Sequence, residues 1–493
     1  MKAIKLLCVF AILASCQDLD ETVYSSIYTE NFYKNAADAE KGLLSAYGAL
    51  GSLGGVPVML LVPEFSADQL YPRPVVGRNT LTQFSYDVNY TAQQTAGRVS
   101  ESPQSIWSFS YQGIENANWV IEKVPGATMD ELRKRQIIGE AYFLRAYYHW
   151  LLAKNFGEIP VKIRPSNSEE EAIVGKSPKS EVYRQIYEDL DHASEAGFLS
   201  FPAVDDGRPS KEAVDALYAK VALYNEDWPL ALEKSEAVIN SGKYTLMTNV
   251  RDLYELEKED EARAENIWAF EGDRTTPGRG TSFNRLLGPP GSNAPEYAQT
   301  TFGSVFAYQA FFDSFDPNDT RRSLLDTNYV DKNGGIVAQK DITPITQNAV
   351  LIEKYMDPIE NGPGNNIPIL RLADVYLIAA EAEFRMNGSS QKALDYLNTV
   401  RRRAFGVPLD SPSLYDRTVI TLDDILQERS WEFFAEGDRW YDLTRTDQFL
   451  IVIPDAVNEV FPSRPVQAKH KFFPIPEEEV NANPKLSQNP DWN

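Results

Sequence analysis

The sequence predicts a mostly α protein, built as a scaffold of paired helices with a large irregular, loop-rich insertion and few short strands. Three observations predict it. Apolar residues recur three or four positions apart along several stretches, the spacing one buried helical face requires. Two helix pairs, Lys211–Asn225 with Pro229–Ser241 and Arg371–Met386 with Gln391–Ala404, overlay without gaps, matching Ala231, Leu232 and Val238 to Ala393, Leu394 and Val400. Between the pairs, residues 244–370 lose that periodicity and become rich in Gly, Pro, Arg and Ser.

In chain order, Lys2 and Lys5 form a basic start, and Ile4 to Leu13 supplies a short apolar run. That pattern marks residues 1–15 as a signal peptide, too short for a stable membrane span. Leu13-Ala14-Ser15-Cys16 resembles a bacterial lipobox, which makes Cys16 the expected lipidation site and residues 16–29 a lipidated tether. Cys8 and Cys16 are the only cysteines, so the mature chain has no disulfide to form. A formal charge of −23 argues against general affinity for nucleic acid or an anionic membrane.

Residues 30–493 read as a single domain. A helix is expected from about residue 31 to Leu50, with Gly51–Pro63 as its break. Residues 64–102 show little periodicity but many aromatic and polar groups, so a functional loop is expected there. Helices resume at Ile106–Val124, Asp130–Phe156 and Lys179–Gly197. Pro229 suits the first turn of its helix. In the insertion, Trp268–Phe270 has strand character, and Asp316 to Arg322 reads as a capped, ion-paired turn. Small residues such as Ala379, Ala380 and Ala382 let paired helices approach closely, so the two hairpins are tetratricopeptide-like units of an α-α superhelix.

Thr421 to Arg445 mixes large apolar groups with Glu428, Arg429, Glu432, Asp438, Arg439, Asp442 and Arg445. Thr421 is the expected N-cap, and Gly437 is expected to end the helix in a left-handed conformation. Charge so dense among aromatics must be solvated or paired, and a structural ion network is the expectation.

Several segments together resemble the SusD/RagB family: Arg145-Ala146-Tyr147-Tyr148 leading to Gly157-Glu158-Ile159-Pro160, Arg371 to Ala382, Glu428 to Arg445, and the tail around Phe473-Pro474-Ile475-Pro476. The resemblance implies a nutrient-binding lipoprotein, for glycan above all, anchored in the outer membrane and facing the cell exterior. It also implies a SusC-like TonB-dependent transporter as partner. A peptide- or protein-binding scaffold of the RagB type is the alternative.

No catalytic residues are expected. The carboxylates lie beside arginines, His149, His192 and His470 lack metal-ligand spacing, and neither a phosphate-binding glycine loop nor a nucleophile elbow occurs. No cofactor or metal is expected either. Sugars offer apolar C–H faces rimmed by hydroxyls, so a glycan site wants aromatic planes beside hydrogen-bonding groups. Tyr71, Arg73, Arg78, Tyr86, Asn89 and Tyr90 supply them in the first loop. Phe283, Asn284, Tyr297 and Phe302 supply them in the second, and Trp107 is expected to reach the same place.

Overall fold

The computed structural model describes residues 32–55, 57–73, 78–90, 101–195, 199, 203, 206–275, 280–290, 297, 301–343, 348–357, 364–461 and 466–492. The expected signal peptide, Cys16 and the expected tether lie outside the described residues.

Helices dominate. Asp130 opens the helix Glu131–Phe156 by accepting from Arg133 N, and Ser210, Asp227 and Ser390 cap Lys211–Tyr224, Trp228–Ser241 and Gln391–Ala404 in the same way. In chain order the principal helices are α1 (Ala36–Gly55), α2 (Val58–Ser66), α3 (Pro103–Lys123), α4 (Glu131–Phe156), α5 (Lys179–Ser194), α6 (Lys211–Tyr224), α7 (Trp228–Ser241), α8 (Leu372–Asn387) and α9 (Gln391–Ala404). Each packs on the next in the series α3–α4–α5, and α6–α7–α8–α9 form a second continuous run. The α7–α8 contact joins the two hairpins although about 130 residues separate them in sequence. A single apolar core spans the helices and the insertion.

Near the N-terminus the structure differs from expectation. The first helix runs to Gly55, and α2 follows directly with Pro63 inside it. Tertiary packing overrides the breakers, because all nine residues of α2 are buried. Gly54 serves close approach, since a Cβ there would sit 2.7 Å from the Phe270 ring.

Among the described residues the strands form four two-stranded antiparallel sheets, each with at least one strand from the insertion. Two matter for the site. β1 (Leu70–Pro72) pairs with β3 (Val305–Ala307), which fastens the first irregular region to the second. β2 (Asn266–Phe270) pairs with β4 (Ile367–Arg371), bringing the exit of the insertion beside its start.

The charged corner lies in α10 (Leu422–Phe433), α11 (Arg439–Arg445) and the turn between them. Thr421 and Asp424 form a reciprocal capping box. The helix stops at Phe433, earlier than expected, and Ala435 (φ +60°) and Gly437 (φ +82°) take left-handed conformations in the turn. Glu432 is the centre: Oε1 accepts from Arg371 and Arg403, and Oε2 accepts from Arg321 at 3.0 Å. Arg321, Arg371, Arg401, Arg403 and Lys354 face Asp319, Glu265, Glu428, Glu432 and Glu436, five cations against five carboxylates. Burial alone would raise the Glu432 pKa, but Arg403, Arg371 and Arg321 hold it far below the usual carboxylate range. Arg429 bridges Asp374 and Asp442 at 2.8 Å each, and Lys220 bridges Asp374 and Asp438 at 2.9 Å each. Trp440 and Tyr441 turn inward at 1% exposure, where Tyr441 donates to Asn155 Oδ1 at 2.8 Å. Asp319 caps the turn expected at Asp316–Arg322 and pairs with Arg321.

Candidate ligand-binding face

The two irregular regions meet at β1 and β3. Arg73 N donates to Ser304 O, Ser304 N to Leu286 O, Phe302 N to Arg285 O and Gly303 N to Gly288 O. These bonds tie the end of β1 to the short helix Phe283–Leu287. Phe302 stands out of this seam at 43% exposure. Beside it a crevice too tight to hold a water is walled by Asn284, Gly288, Tyr297, Lys354, Tyr355 and Asp357.

Among the described residues, Asn284 and Tyr355 of this crevice carry polar atoms with no protein partner. Asn284 is 5% exposed, yet neither its Oδ1 nor its Nδ2 makes a hydrogen bond. The Tyr355 hydroxyl is likewise unpaired, on a residue held at φ +60° and packed against Phe283 with ring centroids 5.3 Å apart. Buried groups of this kind normally find partners, and strained backbone of this kind collects at functional sites. Lys354 and Asp357 are committed elsewhere. Lys354 Nζ donates to Phe434 O (2.8 Å), Glu436 (3.0 Å) and Glu432 O (3.2 Å), so the charged corner grips the crevice wall directly. Burial lowers the Lys354 pKa to about 8, with Glu436 opposing. Asp357 accepts from Arg274 at 3.1 Å and from Gly364 N at 3.1 Å.

The structure divides the residues expected to bind ligand. Arg73, Asn284, Tyr297 and Phe302 come together at this seam. Tyr71 and Phe283 lie behind it at 0% exposure, with the Tyr71 ring packed on Tyr308 at 4.8 Å and on Phe306. Arg78 is locked to Glu101 in a bidentate pair at 2.6 and 2.8 Å. Of Tyr86, Asn89 and Tyr90, the two tyrosines turn toward the C-terminal tail instead. Tyr86 lies between Tyr90 and Trp492, Tyr90 donates to Pro474 O at 3.0 Å, and only Asn89 of the three is exposed. Trp107 packs edge-on to Phe156 at 5.1 Å and is likewise buried. The tail thus occupies faces that the sequence offered to a ligand. Lys354, Tyr355 and Asp357 escaped sequence reasoning because no motif marks them; their only signal is a place amid irregular chain.

Paired helices stacked into a superhelical scaffold, with a large irregular insertion laid against them, define the architectural class. The chain belongs to the SusD family. That family's profile matches residues 248–492, and a second, described as "Starch-binding associating with outer membrane", matches residues 62–223. The chain is 27% identical to SusD-like protein P25 of Formosa agariphila over 96% of its own length and 95% of the relative's. It is 25% identical to starch-binding protein SusD of Bacteroides thetaiotaomicron, over 79% and 80% respectively. A laminarin-binding SusD-like protein shares its fold with TM-score 0.76 at 23% identity, across 93% of this chain and all of that one.

Proposed function

We propose that this chain is a non-catalytic glycan-binding lipoprotein that captures oligosaccharide at the cell surface and passes it to a SusC-like TonB-dependent transporter. The unpaired Asn284 amide carries the reading. An amide offers two donors and an acceptor without charge, and a sugar hydroxyl is both donor and acceptor. Phe302 supplies an apolar plane for the C–H face of the same sugar. Arg73 and Tyr297 complete the proposed contact set, and the names of the relatives point to glucans as ligand class. Acylation at Cys16 would hold the protein to the outer membrane, facing outward, and the tether would raise the local ligand concentration at the transporter mouth.

Titration of the soluble domain with laminarin and starch oligosaccharides tests the proposal. Binding without new reducing ends is expected, and Asn284→Ala and Phe302→Ala should each weaken it about ten-fold or more. Released reducing ends would overturn the non-enzymatic reading. Peptide binding that these two changes weaken, with no glycan binding, would replace glycan by peptide.

A further inference from the structure

We propose that the cleft beside β2 is a second binding site, taking a small protonated amine on a hydroxyl-bearing skeleton, with an amino sugar as its simplest ligand. The cleft has room for about 170 Å³. At about 30 Å³ per water in the liquid, that is some five or six waters, close to one monosaccharide. Trp268 braces its floor from below, fixed by an indole N–H donated to Gly207 O at 2.9 Å.

Its polar groups are organised but incomplete. Arg263 grips Glu271 in a bidentate pair at 3.0 and 3.1 Å, and Asn366 Nδ2 donates to the same carboxylate at 2.7 Å. Glu259 accepts from Asn366 N at 2.9 Å and forms no ion pair among the described residues. The carboxylates of the charged corner, by contrast, each meet an Arg or Lys. Asn266 Oδ1 and Arg263 Nε are enclosed without a hydrogen-bond partner among the described residues, with Asp260 Oδ1 3.8 Å from Nε. The unmet capacity is therefore an acceptor with charge, an acceptor without charge, and one donor. An ammonium donates three hydrogen bonds and neutralises Glu259, while a neighbouring hydroxyl accepts from Arg263 Nε. Partial burial, reinforced by the neighbouring Glu271 carboxylate, pushes the Glu259 pKa to about 7, with the Asn366 N–H, Arg263 and Arg274 opposing. A neutral sugar would leave that charge unmet, and an anion would oppose it.

The cleft is separate from the face at Asn284. Residues 364–366 run between them, with Gly364 N donating to Asp357 on one side and Asn366 N to Glu259 on the other. Calorimetry on the soluble domain with glucosamine, N-acetylglucosamine and glucose tests the assignment. Glucosamine should bind at least about ten-fold tighter than the other two, Glu259→Gln should remove that preference, and Phe302→Ala should leave it unchanged. Asn266→Ala, which removes an acceptor the fold does not use, keeps the test readable if Glu259→Gln fails to fold. Equal binding of the three sugars, undiminished binding in both cleft variants, loss in Phe302→Ala, or no saturable glucosamine binding would each overturn the assignment.

Discussion

Replacing Glu64 by Gln removes a carboxyl that the core holds without a cation. Glu64 lies in α2 at 1% exposure; its Oε1 accepts from Gly437 N at 2.7 Å and its Oε2 has no protein partner. Burial pushes its pKa from 4.5 to about 8, with the Gly437 N–H and Lys354 pulling the other way. Between those values the unfolded chain has released the proton and the folded chain retains it, so stability falls as pH rises. At about 1.36 kcal/mol per pH unit, the loss is roughly 3 kcal/mol at pH 7 and levels off above the folded pKa at roughly 5 kcal/mol. Gln keeps an acceptor for Gly437 and cannot ionise. Urea unfolding of both proteins from about pH 4 to about pH 9 should therefore give nearly equal stabilities at the acid end and a growing advantage for Glu64→Gln toward neutrality. A difference that does not change with pH, or a variant that loses ground above pH 7, would refute the reasoning.

Glu432→Ala should strip Arg321, Arg371 and Arg403 of their shared partner and cost about 3–5 kcal/mol by thermal unfolding. Because the Glu432 pKa is depressed in the folded state, that difference should shrink as pH falls below the unfolded value, where protonation erodes the wild-type advantage. Gly54→Ala should lower stability by about 1–3 kcal/mol, since the new methyl meets the Phe270 ring; an unchanged melting temperature would show that the ring yields freely. Cys16→Ser in cells should move the protein from the membrane to the soluble fraction, and unchanged fractionation would contradict the anchor.

The scaffold was readable from sequence because its signals are local. Helical spacing, caps such as Thr421, and the matched hairpins all lie within a few turns of chain. The charged corner was readable too, since buried charge forces pairing, although its partners Arg321, Lys354 and Glu265 come from distant segments no pattern could supply. The candidate face was readable only as a region. Tyr86 and Trp107 are aromatic residues in or beside irregular chain just as Phe302 is, and the arrival of Trp492, Pro474 and the rest of the tail decides which rings remain uncovered. Pro63 misled for a related reason, because complete burial of α2 outweighs one missing hydrogen bond.

The contact of α7 with α8 has a thermodynamic consequence for everything held between them. Closing a loop costs free energy that grows only with the logarithm of its length. For an excursion of about 130 residues, adding ten more raises that cost by less than about 0.1 kcal/mol. The seam fixes both ends of the excursion, so its interior can lengthen, shorten or change composition with almost no entropic penalty to the superhelix. One frame can thus carry many different binding faces, provided that the residues replaced do not include Arg321, Lys354 or the others whose charges complete the corner.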